Sequence, residues 1–286
     1  MNREIELSRL CVRALSRPIF SALARGEDPA RVLGFLQQTR LANRRDTVGD
    51  VLSKAFELLR TFYRTEYVYK TAIANRIVFG RHSPRTSSLA VELHVGRSVV
   101  DVAVFNGTST AYEVKTELDT PRRLVTQTHD YLRAFDQVYV VTHPETVDRH
   151  ALLCDERVGI LVLDRRESLR IVRRAKPNAS NIDNRILFRT LRRTEYLPAL
   201  ESICGHSINV PNGLVDAHCE EIFRGLSTDT AHAIYLDAMR ARSVGASEFY
   251  LQLPPFLRVL GYSTPLSSKQ RTSVLHALGL TLTFAK

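Results

Sequence analysis

Cysteine is scarce in this 286-residue chain, and its four copies follow no recognisable spacing. They are Cys11, Cys154, Cys204 and Cys219. A disulfide framework or a standard zinc site needs regularly or closely spaced cysteines, so neither is indicated. One zinc combination stays open, Cys204 and His206 with His218 and Cys219, although zinc ligands usually come in tighter pairs.

Long apolar segments are also missing. No run approaches the roughly 18 residues of a membrane-spanning helix, and no apolar segment of the signal-peptide kind follows the start. The first 45 residues read instead as short arginine-bearing helices interrupted by Pro18. We therefore expect no membrane insertion and a cytoplasmic location.

Positive charge is what the chain has in excess. Forty Lys and Arg against thirty Asp and Glu give a formal net charge of +10, the balance typical of a nucleic-acid-binding protein. Ten of the basic residues lie between Arg165 and Arg193, beside two acids. Four arginines would share one face of a helix there, namely Arg185, Arg189, Arg192 and Arg193. Such a face, with Leu187 and Leu191 opposite, fits phosphate binding, and an ordinary solvated basic face is the alternative.

Two predicted strands carry charged residues that point to one region. The run SVVDVAVFNGTSTAYEVKTE reads as strand, turn and strand, with Asp101 on the first and Glu113-Val114-Lys115 on the second. Side chains alternate along a strand, so Glu113 and Lys115 project to the same side. An odd-numbered loop, for example Asn106-Gly107-Thr108, places Asp101 opposite Glu113, whereas an even-numbered loop places them on opposite faces.

A pair of facing carboxylates predicts a cation. Two carboxylates across a hairpin repel each other unless a proton or a metal ion lies between them. Mg²⁺ and Mn²⁺ suit such hard oxygen ligands, which they bind together with water and substrate phosphate. The alternative is that Glu113 and Lys115 form an ordinary charge pair on a solvated face.

Two further acids precede the hairpin. Glu66 lies on the apolar stripe of a helix predicted over 47–79, where it either has a partner inside or pairs with Lys70 one turn on. Glu92 lies on the predicted strand VELHVG, either as an acid beside the metal or on the solvent face.

The helix after the hairpin carries a polar residue on its inward stripe. Thr120 and Pro121 predict its start, and the stripe comprises Leu124, Gln127, Tyr131 and Phe135. An inward glutamine needs hydrogen-bond partners, and Tyr131 offers a hydroxyl one turn on. A position for Gln127 at the solvent edge of the stripe is the alternative.

The ordered set of these residues resembles the PD-(D/E)xK nuclease superfamily over about residues 60–165. The set is Glu66, Glu92, Asp101, Glu113, Lys115, Gln127 and Tyr131, followed by the apolar strand QVYVVT. The Gln-x-x-x-Tyr spacing is similar to the RecB-like branch, and the stretch YRTEYVYKTAIANRIVFGRHS looks like a bacterial group of uncharacterised proteins with this core. Val100 stands before Asp101 where the motif has proline.

The resemblance implies a metal site and its chemistry. Asp101, Glu113 and the Val114 carbonyl would hold one or two Mg²⁺ or Mn²⁺ ions. Lys115 would position or deprotonate the attacking water, or stabilise developing charge.

The other matching residues would support that site. Glu66 would hydrogen-bond toward the metal. Gln127 and Tyr131 would orient either the strand that carries Glu113 and Lys115 or a substrate phosphate.

The predicted architecture is an α/β fold with a restriction-endonuclease-like α-β-β-β-α-β core and a mostly helical C-terminal region. We predict a helical extension over 1–45, the nuclease-like core over 46–176 and a helical domain over 183–286. The stretch RRAKPNASNIDN is the predicted linker.

The predicted function is that of a divalent-metal-dependent nuclease acting on DNA, with RNA left open and a role in defence, mobile-element or repair biology. The alternative is a non-catalytic nucleic-acid- or protein-binding module that keeps a nuclease-like fold. A partner protein or a second copy of the chain stays open.

Overall fold

The computed structural model of the chain describes residues 2–39, 41–43, 45–117 and 119–283. It divides into two compact units, Met1–Asn75 with Ala246–Lys286, and Arg76–Gly245. These boundaries differ from the predicted segments 1–45, 46–176 and 183–286. The first unit is discontinuous because helices from both ends of the chain pack together. Local sequence patterns do not predict this packing.

Helices make up the first unit and much of the second. They are α1 (Asn2–Ala14), α2 (Arg17–Ala24), α3 (Pro29–Val32), α4 (Val48–Phe62), α5 (Glu66–Ile73), α6 (Leu124–Leu132), α7 (Val147–Leu153), α8 (Asn184–Thr190), α9 (Arg193–Cys204), α10 (Val215–Gly225), α11 (Thr228–Val244), α12 (Ser247–Gln252), α13 (Arg258–Ser263) and α14 (Ser268–Gly279). Among the residues that the structure describes, no helix is both long enough and apolar enough to span a membrane.

The second unit is built on one six-stranded sheet. Its strands are β1 (Ser88–Val95), β2 (Ser98–Phe105), β3 (Ser109–Lys115), β4 (Gln137–Thr142), β5 (Gly159–Leu163) and β6 (Leu169–Arg173), in that spatial order. The pairs β1-β2, β2-β3 and β5-β6 are antiparallel, and β3-β4 and β4-β5 are parallel. The predicted α/β class and the order β-β-β-α-β are confirmed, while the nuclease-like identity of this core stays a prediction.

One face of the sheet carries the core of the second unit. Ala103, Ala111, Val138, Val140 and Ile160 share that face and belong to one buried apolar cluster. Helices α6, α8, α9, α10 and α11 contribute the other side of the cluster. The strands β4 and β5 are continuous apolar runs, as expected for parallel strands that are covered on both faces.

The hairpin between β2 and β3 has the odd-numbered loop. Phe105 pairs with Ser109, so the loop is Asn106-Gly107-Thr108, and Gly107 takes a φ of +106°. Continuing the observed register from the Val102–Tyr112 pair by one residue places Asp101 opposite Glu113. This part of the prediction is confirmed, and the loop alternative with an even number of residues is wrong.

The single helix predicted over 47–79 is wrong. The chain leaves α4 after Phe62, takes an extended conformation at Thr65 and begins α5 at Glu66. Aromatic and β-branched residues favour helices weakly, and threonine suits the extended position before a helix. Phe62, the last residue of α4, is 73% exposed.

The predicted linker RRAKPNASNIDN is a packed segment of the second unit. Asn178 is fully buried, and its amide nitrogen donates to the carbonyl of Leu132, the last residue of α6, and to the carbonyl of Phe135 after it. Strand β6, which the sequence analysis missed, immediately precedes this segment. Its polar composition therefore reflects hydrogen bonding to the chain around it.

The helical C-terminal region follows the prediction with one difference. The segment that carries the four arginines, predicted as one helix, forms two helices. Leu191 and Arg192 are extended, and the Glu195 carboxylate accepts the Arg192 N–H at 2.8 Å to start α9. The four arginines therefore do not share the face of one helix. Leu187 and Leu191 are buried, as predicted.

Candidate functional site

A buried ion pair forms the centre of the candidate site. Lys115 Nζ donates to Glu113 Oε1 at 2.6 Å and to Gln127 Oε1 at 3.2 Å. Glu113 is 1% exposed and Lys115 is 8% exposed. The alternative of an ordinary pair on a solvated face is therefore wrong, and so is a purely solvent-edge position for Gln127. Burying two charged groups costs free energy unless their remaining donors and acceptors are also hydrogen-bonded. The residues around Glu113 and Lys115 supply these hydrogen bonds.

Tyr131 supplies the second contact to the buried carboxylate. Its hydroxyl oxygen lies 2.7 Å from Glu113 Oε2 and 2.7 Å from the Val99 carbonyl oxygen. Burial, followed by the neighbouring Glu113 carboxylate, raises the pKa of the Tyr131 phenol far above its ordinary value. The hydroxyl therefore keeps its proton and can donate it to either acceptor. Gln127 and Tyr131 both contact side chains of β3, and their contact with a substrate phosphate stays a prediction.

Asp101 lies where the ladder between β2 and β3 opens. The last backbone pair before the opening is Val102 with Tyr112. Asp101 Oδ2 then accepts the Val114 N–H at 2.7 Å, so a side chain replaces the next inter-strand bond. The carboxylate is partly exposed and is held beside the backbone of the strand that carries Glu113 and Lys115.

Glu92 occupies a distorted position on the neighbouring strand. The flanking pairs Val91–Val102 and Leu93–Val100 place it opposite Asp101, but no pair forms there. Its φ is +55°, the left-handed region that a non-glycine residue adopts only at a cost. The side chain is exposed. Both readings of Glu92 stay open, and its register position is compatible with a role beside Asp101.

Glu66 belongs to the first unit, at the start of α5. It forms an ion pair with Lys70 one turn on, and Lys70 is buried while the Glu66 side chain is half-exposed. This is the pairing that the helical spacing predicted. Its hydrogen bond toward the metal, which the resemblance implied, stays a prediction.

The polar residues next to the site have local partners. Asp119 accepts from the backbone N–H and the hydroxyl of Thr116, both at 2.8 Å, which agrees with a role in the turn before α6. Glu117 lies 3.6 Å from His143. His129 is exposed on α6.

The oxygen atoms near Asp101 and Glu113 are of the chemical type that binds a small divalent cation. Asp101, Glu113 and the Val114 carbonyl offer hard oxygens, and each carboxylate oxygen has a further lone pair beyond the bonds described above. One or two carboxylates with water are what Mg²⁺ takes from proteins. Within the described ranges, no group of three or more His, Cys, Asp or Glu side chains is arranged to hold a metal, which leaves the Cys204 and His218 zinc combination without support.

Sequence reasoning missed two residues beside Lys115. Thr142 pairs with Lys115 in the parallel register between β3 and β4. Its hydroxyl oxygen lies 2.7 Å from Nδ1 of His150, a residue of α7 that is 1% exposed. The signal for His150 was its helical spacing from Val147, which makes it a histidine on an apolar face.

The predicted basic surface is partly neutralised within the chain. Arg185 and Arg189 lie 2.9 and 3.5 Å from the same oxygen of Glu220. Arg193 donates to Asn212 at 3.0 Å. These arginines are accessible to solvent, and phosphate binding by them stays a prediction. A phosphate would compete with the Glu220 carboxylate for Arg185 and Arg189.

Comparison with known proteins gives one match. No curated protein and no solved structure matches the chain. The family model described as bacteriophage P4 protein cII matches residues 60–252, which include Asp101, Glu113, Lys115, Gln127 and Tyr131. Because that match spans more than half of the sequence, the chain belongs to the bacteriophage P4 protein cII family.

Proposed function

We propose that this protein is a divalent-metal-dependent nuclease that hydrolyses phosphodiester bonds, with DNA as the substrate. The observation that carries the proposal is the buried contact between Lys115 and Glu113, with Asp101 opposite Glu113 in register. Burying a lysine and a carboxylate costs free energy that a surface pair would avoid. Strained or costly polar arrangements of this kind concentrate at functional sites, which favours a chemical role.

The proposed metal ligands are Asp101, Glu113 and the Val114 carbonyl, with Mg²⁺ or Mn²⁺ as the ion. A bound ion of this kind makes a water molecule more acidic and neutralises charge on the scissile phosphate. The Val114 N–H orients the Asp101 carboxylate, and the Tyr131 hydroxyl orients Oε2 of Glu113. Lys115 is held by Gln127 and Glu113, so its ammonium can position the attacking water or balance negative charge at the phosphate.

Two further observations support a nucleic acid as the substrate class. The formal net charge of +10 favours a polyanion, because cationic surfaces release counterions when they bind phosphate. The family takes its description from a bacteriophage protein, which is in keeping with a role in mobile-element or defence biology. RNA is a variant of the same proposal that the assay below separates.

The test compares the buried pair with an exposed pair of the same residue types. Lys176 and Glu156 form a contact of 2.9 Å in which both side chains are at least half-exposed. Wild type, Lys115→Met, Glu113→Gln, Asp101→Asn, Lys176→Met and Glu156→Gln are incubated with linear, circular and single-stranded DNA and with RNA, in Mg²⁺, Mn²⁺ or EDTA. We expect metal-dependent cleavage by wild type and both surface variants, and loss of cleavage in the three site variants. Cleavage by wild type in EDTA, or undiminished cleavage by Lys115→Met, contradicts the proposal.

A second candidate function is a non-catalytic binding module with this fold. Glu113 accepts from Lys115 on one oxygen, and its other oxygen lies 2.7 Å from the Tyr131 hydroxyl, which favours a structural use of the carboxylate. Calorimetric titration with Mg²⁺ and Mn²⁺ separates the two candidates without an activity assay. Metal binding by wild type that is lost in Asp101→Asn supports the nuclease, whereas DNA binding without metal binding or cleavage supports the module.

A further inference from the structure

His150 is a buried histidine with one open ring nitrogen. Its Nδ1 lies 2.7 Å from Thr142 Oγ1, while Nε2 is buried and has no hydrogen-bond partner among the described residues. A buried polar atom without a hydrogen-bond partner costs free energy and is rare in proteins. Such an atom indicates a functional role or a bound water molecule.

The sheet register places this histidine next to the site. Lys115 and Thr142 are paired across β3 and β4, and directly paired residues project to the same face. His150 approaches that face from α7 and contacts Thr142. The ammonium of Lys115 donates two of its three N–H groups, to Glu113 and Gln127, and the third has no acceptor in the part of the chain that the structure describes. One open donor and one open acceptor therefore occur on the same part of one face.

The neighbouring hydroxyls favour one tautomer of the ring. Thr146 Oγ1 lies 3.3 Å from the His143 carbonyl oxygen and 2.9 Å from Thr142 Oγ1. The arrangement that keeps all three contacts has Thr146 donating to the carbonyl, Thr142 donating to Thr146, and His150 donating its Nδ1–H to Thr142. It leaves the Nε2 lone pair free to accept, and the ring-nitrogen measurement below tests it.

We infer that His150 is a positioning residue for Lys115, whose ammonium donates to Nε2 through one ordered water. This role rests on the proposed function, because it matters to catalysis only if Lys115 acts there. A neutral imidazole can accept from an ammonium, whereas a protonated imidazole would repel it. The charged groups that act on His150 are Arg149 on its own helix, Lys115 on β3 and Asp119 before α6.

Two NMR measurements test the inference without any cleavage assay. The ¹⁵N shifts of the His150 ring in wild type at neutral pH are expected to show a proton on Nδ1 and none on Nε2. In Lys115→Met the pKa of His150 is expected to rise, because the nearby positive charge is gone. A proton on Nε2 in wild type, or an unchanged His150 pKa in a folded Lys115→Met variant, overturns the inference.

A pair of amide substitutions separates positioning of Lys115 from a simple tie to Thr142. His150→Asn places an amide near the position of Nδ1, and His150→Gln places one near the position of Nε2. We expect His150→Gln to retain most of the wild-type kcat, and His150→Asn to lose on the order of tenfold in kcat with little change in KM. The exposed His129, changed to Asn and to Gln, is the matched control and should have no effect. Rescue by Asn and not by Gln overturns the inference, and if wild type cleaves no substrate the proposed function fails while the NMR measurements still decide this point.

Discussion

The hydroxyl of Tyr131 satisfies a carboxylate oxygen that no solvent reaches. Tyr131→Phe removes that donor and leaves Glu113 Oε2 and the Val99 carbonyl without it, so the protein should lose about 1–3 kcal/mol of unfolding free energy. Urea denaturation measures the change. Tyr63→Phe, at an exposed tyrosine, is the control and should stay within about 0.5 kcal/mol of wild type. Equal stabilities for the two variants would mean that the hydroxyl contact contributes nothing.

A buried and a half-buried imidazole, those of His150 and His232, make stability depend on pH. Burial holds the pKa of His150 and of His232 below the ordinary value of 6.5. As the pH falls below 6.5, the unfolded chain takes up protons at these residues and the folded chain does not, so the free energy of unfolding decreases. The stabilisation is complete above pH 6.5 and is lost progressively as the pH falls from there toward the folded-state pKa values. Denaturation curves over this range should show a shallower dependence in His150→Gln, and an identical dependence would contradict the assignment.

At the scale of elements, the sequence predicts what alternation and helical spacing control. The hairpin register follows from a three-residue loop around a glycine, and Gln127 and Tyr131 follow from one inward stripe. The break before Glu66 was missed because the apolar stripe continues across it, although Thr65 is a good helix start. Asn178 was misread because a polar, proline-containing run looks the same whether it is solvated or packed. In both cases the structure depends on which distant residues the segment packs against, and the local sequence does not contain that information.

The Asn178 side chain anchors the end of the helix that carries Gln127 and Tyr131. Asn178→Asp keeps the size of the side chain but removes the amide donors to Leu132 and Phe135, and it buries a charge. We expect a loss of about 2–4 kcal/mol in unfolding free energy. Asn209→Asp, at an exposed asparagine of the same unit that does not contact Asn178, is the control. A flexible linker would tolerate both changes equally, and that result would argue against the packed segment.

The hairpin loop can be tested through its glycine. Gly107 has a φ of +106° and nothing within 4 Å of the position where a Cβ would be, so Gly107→Ala meets backbone strain without a steric clash. The expected cost is about 1–2 kcal/mol. Gly225→Ala, which also has free space and has no positive φ, should be neutral or slightly stabilising. Thermal unfolding of the two variants compares them, and equal melting temperatures would contradict the loop geometry.

At the scale of the whole molecule, the two compact units differ in how much the sequence could say about them. The second unit is continuous, and its sheet follows strand after strand in chain order. The first unit joins both ends of the chain, with a bridge between Thr47 and Thr281 and packing of α14 against α2 and α4. Pairing across such a sequence separation depends on which apolar faces meet, and amphipathic helices of similar composition do not specify their partners. The family match covers residues 60–252, so it includes all of the second unit and only part of the first.

The net charge of the molecule predicts salt-dependent DNA binding, and the distribution of charge decides which arginines contribute. Arg185 and Arg189 share Glu220, and in the first unit Arg25 and Arg31 share Glu27 in the same way. If the second-unit pair contacts phosphate, the Arg185→Ala/Arg189→Ala variant should reduce the slope of log K against log salt by about 1–2. Arg25→Ala/Arg31→Ala removes the same charge and should leave the slope nearly unchanged. Fluorescence anisotropy in EDTA measures binding without metal-dependent cleavage, and equal slopes for both variants would show that overall charge, and not the predicted basic surface, controls binding.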